Sequence, residues 1–296
     1  MSTKEKLTNL IQEVTDKIIK DMEAGVMPWE KTWFFVPSAN GSSKRTYQGM
    51  NLLFLGYERQ QKNYSSPVWM TFLQAKTLGG RIKKGAEGTE IIYFEMKLKQ
   101  NTTEAEADEK NRKDAFPFVR LHHVFNLDQI EGLDHLKDQI TPNRVVNNEE
   151  ADRIILESGA KIIYDQLKNE AFYSPATDTI TLPFKEAFKS TEGFYETACH
   201  ELIHWTGGPA RINRISKAAF GSEEYAAEEL VAEFGASILC AHVGIPYKTN
   251  HAAYIASWIK KLKDDPKALS TAITQAQKAV DFLLKAVPAE TVKEVA

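Results

Sequence analysis

The chain has 296 residues, 43% of them hydrophobic and 26% charged, which is the balance of a folded protein with room for two modest domains and excludes a disordered or collagen-like polymer. No stretch reaches the ~18 to 20 apolar residues of a membrane span, the first residues form no apolar signal segment, and two cysteines, Cys199 and Cys240, cannot build a disulfide framework. The expectation is a cytoplasmic protein with no membrane partner. The net charge of -3 conceals a division: residues 1–130 hold 19 Lys and Arg against 16 Asp and Glu, residues 131–296 hold 18 against 24, and residues 31–100 hold 11 against 4. The two halves suit different partners.

In chain order, Leu7, Leu10, Ile11, Val14, Ile18 and Met22 recur at helical spacing, so residues 4–24 read as an amphipathic helix ended by Gly25. Residues 28–47 lose the pattern in Pro, Ser, Asn and Gly. Two short helices are expected over 51–61 and 68–78, parted by Asn63-Tyr64-Ser65-Ser66-Pro67. Residues 89–99 and 116–126 alternate as an antiparallel strand pair, with the polar tract 100–114 as the loop between them. A linker is placed at 136–148, which contains Pro142 and Asn147-Asn148. Beyond it come a helix over 149–157, short strands near 161–164 and 177–182, and helices nearly to the end. This is an α+β chain of two domains: residues 1–135 mixed, with an antiparallel hairpin, and residues 149–296 mostly helical, with a small sheet.

His200-Glu201-Leu202-Ile203-His204 spells HExxH inside a helix capped by Ser190 or Thr191 and stopped by Gly207-Gly208-Pro209. Two imidazoles four residues apart stand one turn above the other and can share a Zn²⁺ at ~2.0 to 2.1 Å, while Glu201, rotated about 100°, is placed as a general base. Another divalent ion such as Mn²⁺ is an alternative. A third ligand is needed, and the acidic helix 223–241 offers Glu224, Glu228, Glu229 and Glu233. Leu230, Val231, Phe234 and Ile238 share one face of it, while Tyr225, Glu229, Ala232, Glu233, Ala236 and Cys240 share the other, so both faces are suited to burial. Buried carboxylates are costly unless paired or metal-bound. Glu229 therefore reads as the ligand, with Glu233 and Tyr225 supporting it and Glu228 as the alternative.

Residues 31–100 hold 11 aromatics among the excess of basic residues. Aromatic faces beside cations suit unpaired bases, and Arg45, Tyr47, Trp69, Arg81, Lys83 and Lys84 are the candidate contacts. The same composition is met by Trp29, Trp33, Trp69 and Phe72 packing a core beneath a solvated face of lysines.

HELIHWTGG followed by EELVAEFGA resembles the HExxH plus ExxxD pattern of gluzincin-like metallopeptidases, with Glu233 where Asp is usual. Tyr173–Pro183 resembles the strand beside the metal helix in those folds. MPWEKTWFFVPSAN, KRTYQGMNLLFL, SPVWMTFLQAKTLGGRIKKGAEGTEIIYFE and VFNLDQIEGL resemble successive blocks of the N-terminal single-stranded-DNA-binding domain of ArdC-type antirestriction proteins, and SWIKKLKDDPKALSTAITQAQKAVDFLL resembles the distal part of their metallopeptidase domain. The resemblance implies a plasmid-type, conjugation-associated protein that binds single-stranded DNA without strong sequence preference. It also implies a gluzincin-like site with a zinc cofactor and a peptide or protein substrate. Two other readings stay open: a DNA-protecting protein whose metal is structural or vestigial, and a metalloprotease whose first domain binds protein.

Overall fold

The structure, a computed structural model, describes residues 3–31, 36–98, 115–137, 148–165, 170–215, 222–248 and 252–286. By contacts the chain divides into two compact units, Met1–Val14 with Ser38–Thr141, and Thr15–Pro37 with Pro142–Ala296. The described residues 15–31 thus group with the second unit, whereas the expectation assigns them to the first domain. Trp29 shows why: its buried ring stands edge-on to Phe234 and Trp258, with centroids 5.5 and 5.6 Å away, an aromatic contact between residues far apart in sequence that helical periodicity cannot reveal. The loop expected at 100–114 and most of the expected linker, 138–147, lie outside the described residues.

Helix α1 (Thr3–Glu23) gives its residues as far as Val14 to the first unit and those from Thr15 to the second. The first unit continues with β1 (Ala39–Asn40), α2 (Met50–Gln61), β2 (Val68–Met70), α3 (Phe72–Thr77), β3 (Arg81–Ile82), β4 (Thr89–Leu98), β5 (Ala115–Asn126) and β6 (Ile130–Glu131). Its main sheet runs β1-β2-β5-β4, and β3 pairs with β6. β4 and β5 are antiparallel from Thr89↔Val124 to Leu98↔Ala115.

The helix expected over 68–78 divides in two. Val68-Trp69-Met70 follow Pro67 as a strand between β1 and β5, all three buried, because branched and aromatic side chains fit a fully covered strand. Thr71 then caps α3, accepting from the Gln74 amide at 3.2 Å while Gln74 Oε1 accepts from the Thr71 amide at 2.9 Å, a capping box. Leu127, Ile130, Leu133 and Leu136 pack with Val68, Met70 and Ala75, so Leu136, the first residue of the expected linker, belongs to the core of the first unit.

The second unit contains α4 (Asn148–Glu157), β7 (Lys161–Tyr164), β8 (Phe172–Ser174), β9 (Thr179–Leu182), α5 (Thr191–Thr206), α6 (Glu223–His242), α7 (Ala252–Asp264) and α8 (Ala268–Ala286). Its sheet runs β7-β9-β8, with β7 parallel and β8 antiparallel to β9. The strand expected near 177–182 is β9, and the stretch 173–183 that resembles a single strand spans a hairpin of β8 and β9. Its turn carries Asp178 at φ 52°, a conformation that Asp tolerates better than most residues.

Candidate metal centre

Ser190 starts α5 by accepting from the Gly193 amide at 3.1 Å. The helix ends where two arginines fold back over it. Arg211 Nε donates to the Trp205 carbonyl at 2.5 Å; Arg214 donates through Nη2 to the Ile203 carbonyl at 2.5 Å and through Nη1 to Thr206 Oγ1 at 2.8 Å. Cationic donors on the last carbonyls complete the helix end. A Cβ on Gly207 would stand 2.6 Å from Ile215 Cγ1, and one on Gly208 would collide with the Arg211 guanidinium. Space for this returning loop is what the Gly-Gly pair provides. Helix α6 is capped by Ser222, which accepts from the Tyr225 amide at 3.1 Å, and it buries both Leu230 and Phe234 and the opposed Glu229, Glu233 and Cys240.

Where α5 and α6 face each other, three side chains converge. His200 Nε2 and His204 Nε2 are 3.1 Å apart, and the Glu229 oxygens lie 3.4 Å from the first and 3.5 Å from the second. Two donors at ~2.0 to 2.1 Å from one ion stand about 3.3 Å apart at a tetrahedral angle, so these spacings fit a shared divalent ion. The far ring nitrogens are engaged as well: His204 Nδ1 meets Glu228 Oε1 at 3.1 Å, and His200 Nδ1 meets Tyr247 Oη at 3.3 Å, with Glu233 Oε1 at 3.7 Å. In the neutral tautomer that carries its proton on Nδ1, the form a metal ion would select, each ring turns an Nε2 lone pair to the same place.

Electrostatics follow from this packing. Burial works against protonated His204, but hydrogen bonds to Glu228 and Glu229 and their charge outweigh it and hold the imidazole up to about 10. Burial likewise opposes ionised Glu229, yet the two histidines pull its carboxyl well below the usual range. Tyr225, hydrogen-bonded to Glu229, is raised by burial and then by that carboxylate. Glu201 is buried, and with the three converging residues it lines a cavity of about 950 Å³ whose wall also includes Phe172 and Tyr173 of β8.

Glu228, the alternative ligand by sequence, sits on the wrong nitrogen for ligation and is clamped by Arg214, with Nη2 to Oε1 at 2.8 Å and Nε to Oε2 at 3.0 Å. Tyr247 and Arg214 were not found by sequence reasoning, since neither shares a helix periodicity with the histidines. Among the described residues no fourth metal-binding side chain joins the group. Cys240 is buried against Cys199, which raises its thiol further after burial itself, and His242 is exposed at the end of α6.

The candidate DNA contacts fare differently. Trp69 is 0% exposed and its indole donates to Ser38 Oγ at 3.1 Å; a side chain sealed on both faces cannot stack on a base, so Trp69 is a core residue and not a DNA contact. Tyr47 is half-buried against the Leu55 and Trp69 cluster, its hydroxyl accepting from Asn40 Nδ2 at 3.1 Å. Arg45 and Lys84 are exposed. Arg81 is exposed but paired with Glu131 at 2.7 Å, and Lys83 donates to the Asp128 carbonyl at 2.7 Å.

The fold and its converging donors define a chain whose second unit is built as a zincin-like metal centre. Residues 149–275 match the zincin-like metallopeptidase family, and residues 8–125 match the N-terminal domain of anti-restriction factor ArdC. Two crystal structures of the antirestriction ArdC protein from the R388 plasmid, one metal-free and one Mn(II)-bound, superpose at a TM-score of 0.76 with 34% identity, covering 94% of this chain and 97% and 98% of those chains. The chain belongs to the ArdC antirestriction family. Two DNA primases TraC of Escherichia coli are 36% and 37% identical over 295 and 290 residues, 92% of this chain in each case. The chain spans 27% and 19% of their lengths.

Proposed function

We propose that this chain is an antirestriction protein that binds single-stranded DNA through its first unit and holds a divalent ion at His200, His204 and Glu229 in its second. The observation that carries the metal reading is the convergence of His200 Nε2, His204 Nε2 and Glu229 within 3.5 Å of one another at the rim of an open cavity. Three protein ligands leave a coordination position for water or substrate, as in catalytic zinc sites, whereas structural sites are closed by a fourth. This favours hydrolytic chemistry over a purely structural ion. The Mn(II)-bound R388 relative supports a divalent ion and leaves its identity to measurement.

An ion bound here would supply Lewis acidity. Glu201, one position along α5 from His200 and buried at the cavity wall, accepts a proton from attacking water. Tyr225 orients Glu229, while Glu228 and Tyr247 fix the two rings. A peptide bond entering beside β8 is the substrate that this arrangement and the metallopeptidase family suggest. The DNA reading rests on the family and on the basic surface of the first unit.

The test has two arms. Elemental analysis of the full chain should find one divalent ion per chain, lost in Glu229→Ala and retained in Glu201→Gln, with Glu201→Gln abolishing any hydrolysis of a peptide library. Fluorescence anisotropy should show salt-dependent binding of single strands over duplex, with a log-log slope of about -0.7 per phosphate contacted. Metal without strand affinity would favour a metalloprotease whose first unit binds protein.

A further inference from the structure

Among the described residues of the first unit, four large apolar side chains stand in water: Tyr93 of β4, and Phe72, Leu73 and Leu78 in and just after α3. Helix α3 buries only Ala75 and turns Phe72 out at 59% exposure and Leu73 at 70%, and Leu78, which ends the helix, is 42% exposed. Phe72 and Leu73 are chain neighbours, and adjoining large apolar side chains left in water on a folded unit point to contact with something else. Phe72, which sequence reasoning placed among core candidates beside Trp69, thus exchanges roles with it: the tryptophan is sealed and the phenylalanine is open.

The surroundings of Phe72 name the partner. Asn40 Nδ2 donates to both Gln74 Oε1 and Tyr47 Oη at 3.1 Å, and Asn40 Oδ1 accepts from the Ser42 and Ser43 amides at 3.0 and 2.9 Å. The turn is closed by backbone bonds of 2.8 Å from the Lys44 amide to the Asn40 carbonyl and from the Asn40 amide to the Arg45 carbonyl. One asparagine therefore ties a turn that presents exposed Lys44 and Arg45 to the first turn of α3, where Phe72 stands. Lys76 is exposed one turn further along α3. An exposed aromatic side chain on a helix that also carries Lys76 and is tied through Asn40 to a turn bearing Lys44 and Arg45 offers the stacking face and the cations that an unpaired base and its phosphates require, and a purely apolar protein partner would have no use for the cations.

We propose that Phe72, with Leu73 beside it, is the platform on which a base of single-stranded nucleic acid stacks, and that Lys44 and Arg45 neutralise the adjoining phosphates. This rests on the reading that the first unit binds single strands and specifies where. The Thr71 capping box and the Asn40 clamp fix the backbone at the start of α3, from which Phe72 projects.

The test measures anisotropy of a labelled oligothymidine strand with the full chain. Phe72→Ala should weaken binding about 5- to 150-fold, the range for losing one stacked base, without altering the salt slope. Phe72→Leu should fall nearly as far, since it keeps apolar bulk but has no π face, and Phe72→Trp should restore affinity. Lys44→Ala with Arg45→Ala should flatten the slope by about 1.4, two phosphates' worth. An exposed side chain leaves the melting temperature unmoved, which circular dichroism checks. If the parent binds and Phe72→Ala or Phe72→Leu binds within twofold of it, the platform is refuted while strand binding survives, and the patch belongs to a protein partner. A parent that binds no strand removes the reading and the platform together.

Discussion

Glu228 places one oxygen 3.1 Å from His204 Nδ1 and both oxygens within 3.0 Å of the Arg214 guanidinium, so a residue ten positions beyond His204 governs the orientation of its ring. Removing a group that orients a ligand costs roughly 10- to 100-fold in metal affinity. Calorimetric titration of Glu228→Gln should show that loss with stoichiometry intact. In Arg214→Met the Glu228 carboxylate keeps its burial and loses its cation, a change worth about 3 kcal/mol or more of stability, and denaturant unfolding should read it. A second residue-scale case is Asp128, which accepts from the Ser65 and Ser66 amides at 2.5 and 3.3 Å and from Ser65 Oγ. Burial opposes its charge, but these bonds and Lys137 prevail and lower its carboxyl below the ordinary value. A carboxyl lowered on folding stabilises the native state above its unfolded pKa of about 3.9, and that contribution disappears as pH falls through the folded value. Thermal melts taken downward from pH 5 should therefore fall less steeply for Asp128→Asn than for the parent.

At the scale of elements, the metal centre depends on how closely α5 and α6 approach. A Cβ on Gly235 would stand 2.8 to 2.9 Å from three carbons of Ile203, which is itself fully buried. Alanine gains up to about 1 kcal/mol over glycine inside a helix, while overpacking a core costs about 1 to 3 kcal/mol, so the clash decides the sign. Gly235→Ala should be destabilised in urea and should bind metal more weakly, because Glu229 is displaced from the histidines; adding Ile203→Val should recover part of both. Stability unchanged by Gly235→Ala would show that the helices can separate freely. The same scale explains what periodicity misread at 68–78: Val68, Trp69 and Met70 are as compatible with an apolar helix as with a strand, and pairing with β1 and β5 decided between them.

For the molecule as a whole, all three converging donors and their supporting residues belong to the second unit. An ion that binds only the folded form stabilises it by RT ln(1 + [L]/Kd), about 4 kcal/mol at a thousandfold excess over Kd. Hydrogen exchange with zinc or manganese should therefore gain protection in α5 and α6 and leave β4 and β5 of the first unit unchanged. In Glu229→Ala the gain should vanish. Protection spread equally over both units would show that the ion's influence is not confined to the unit holding its ligands.

Much of the centre was legible along the chain because its determinants are local. Four residues on a helix set His200 above His204, Ser190 and Gly207 bound that helix, and a carboxylate such as Glu229 on a helix apolar on both sides signals a compensating partner. What the tertiary structure alone decided is non-local. The facing of α5 and α6 selected Glu229 over Glu228 and recruited Tyr247 and Arg214 to the rings, Trp29 joined the second unit through rings far along the chain, and sheet pairing sealed Trp69 while α3 turned Phe72 outward. Periodicity records which side chains share a face of one element; which face is covered, and by what, is settled only when another element packs against it.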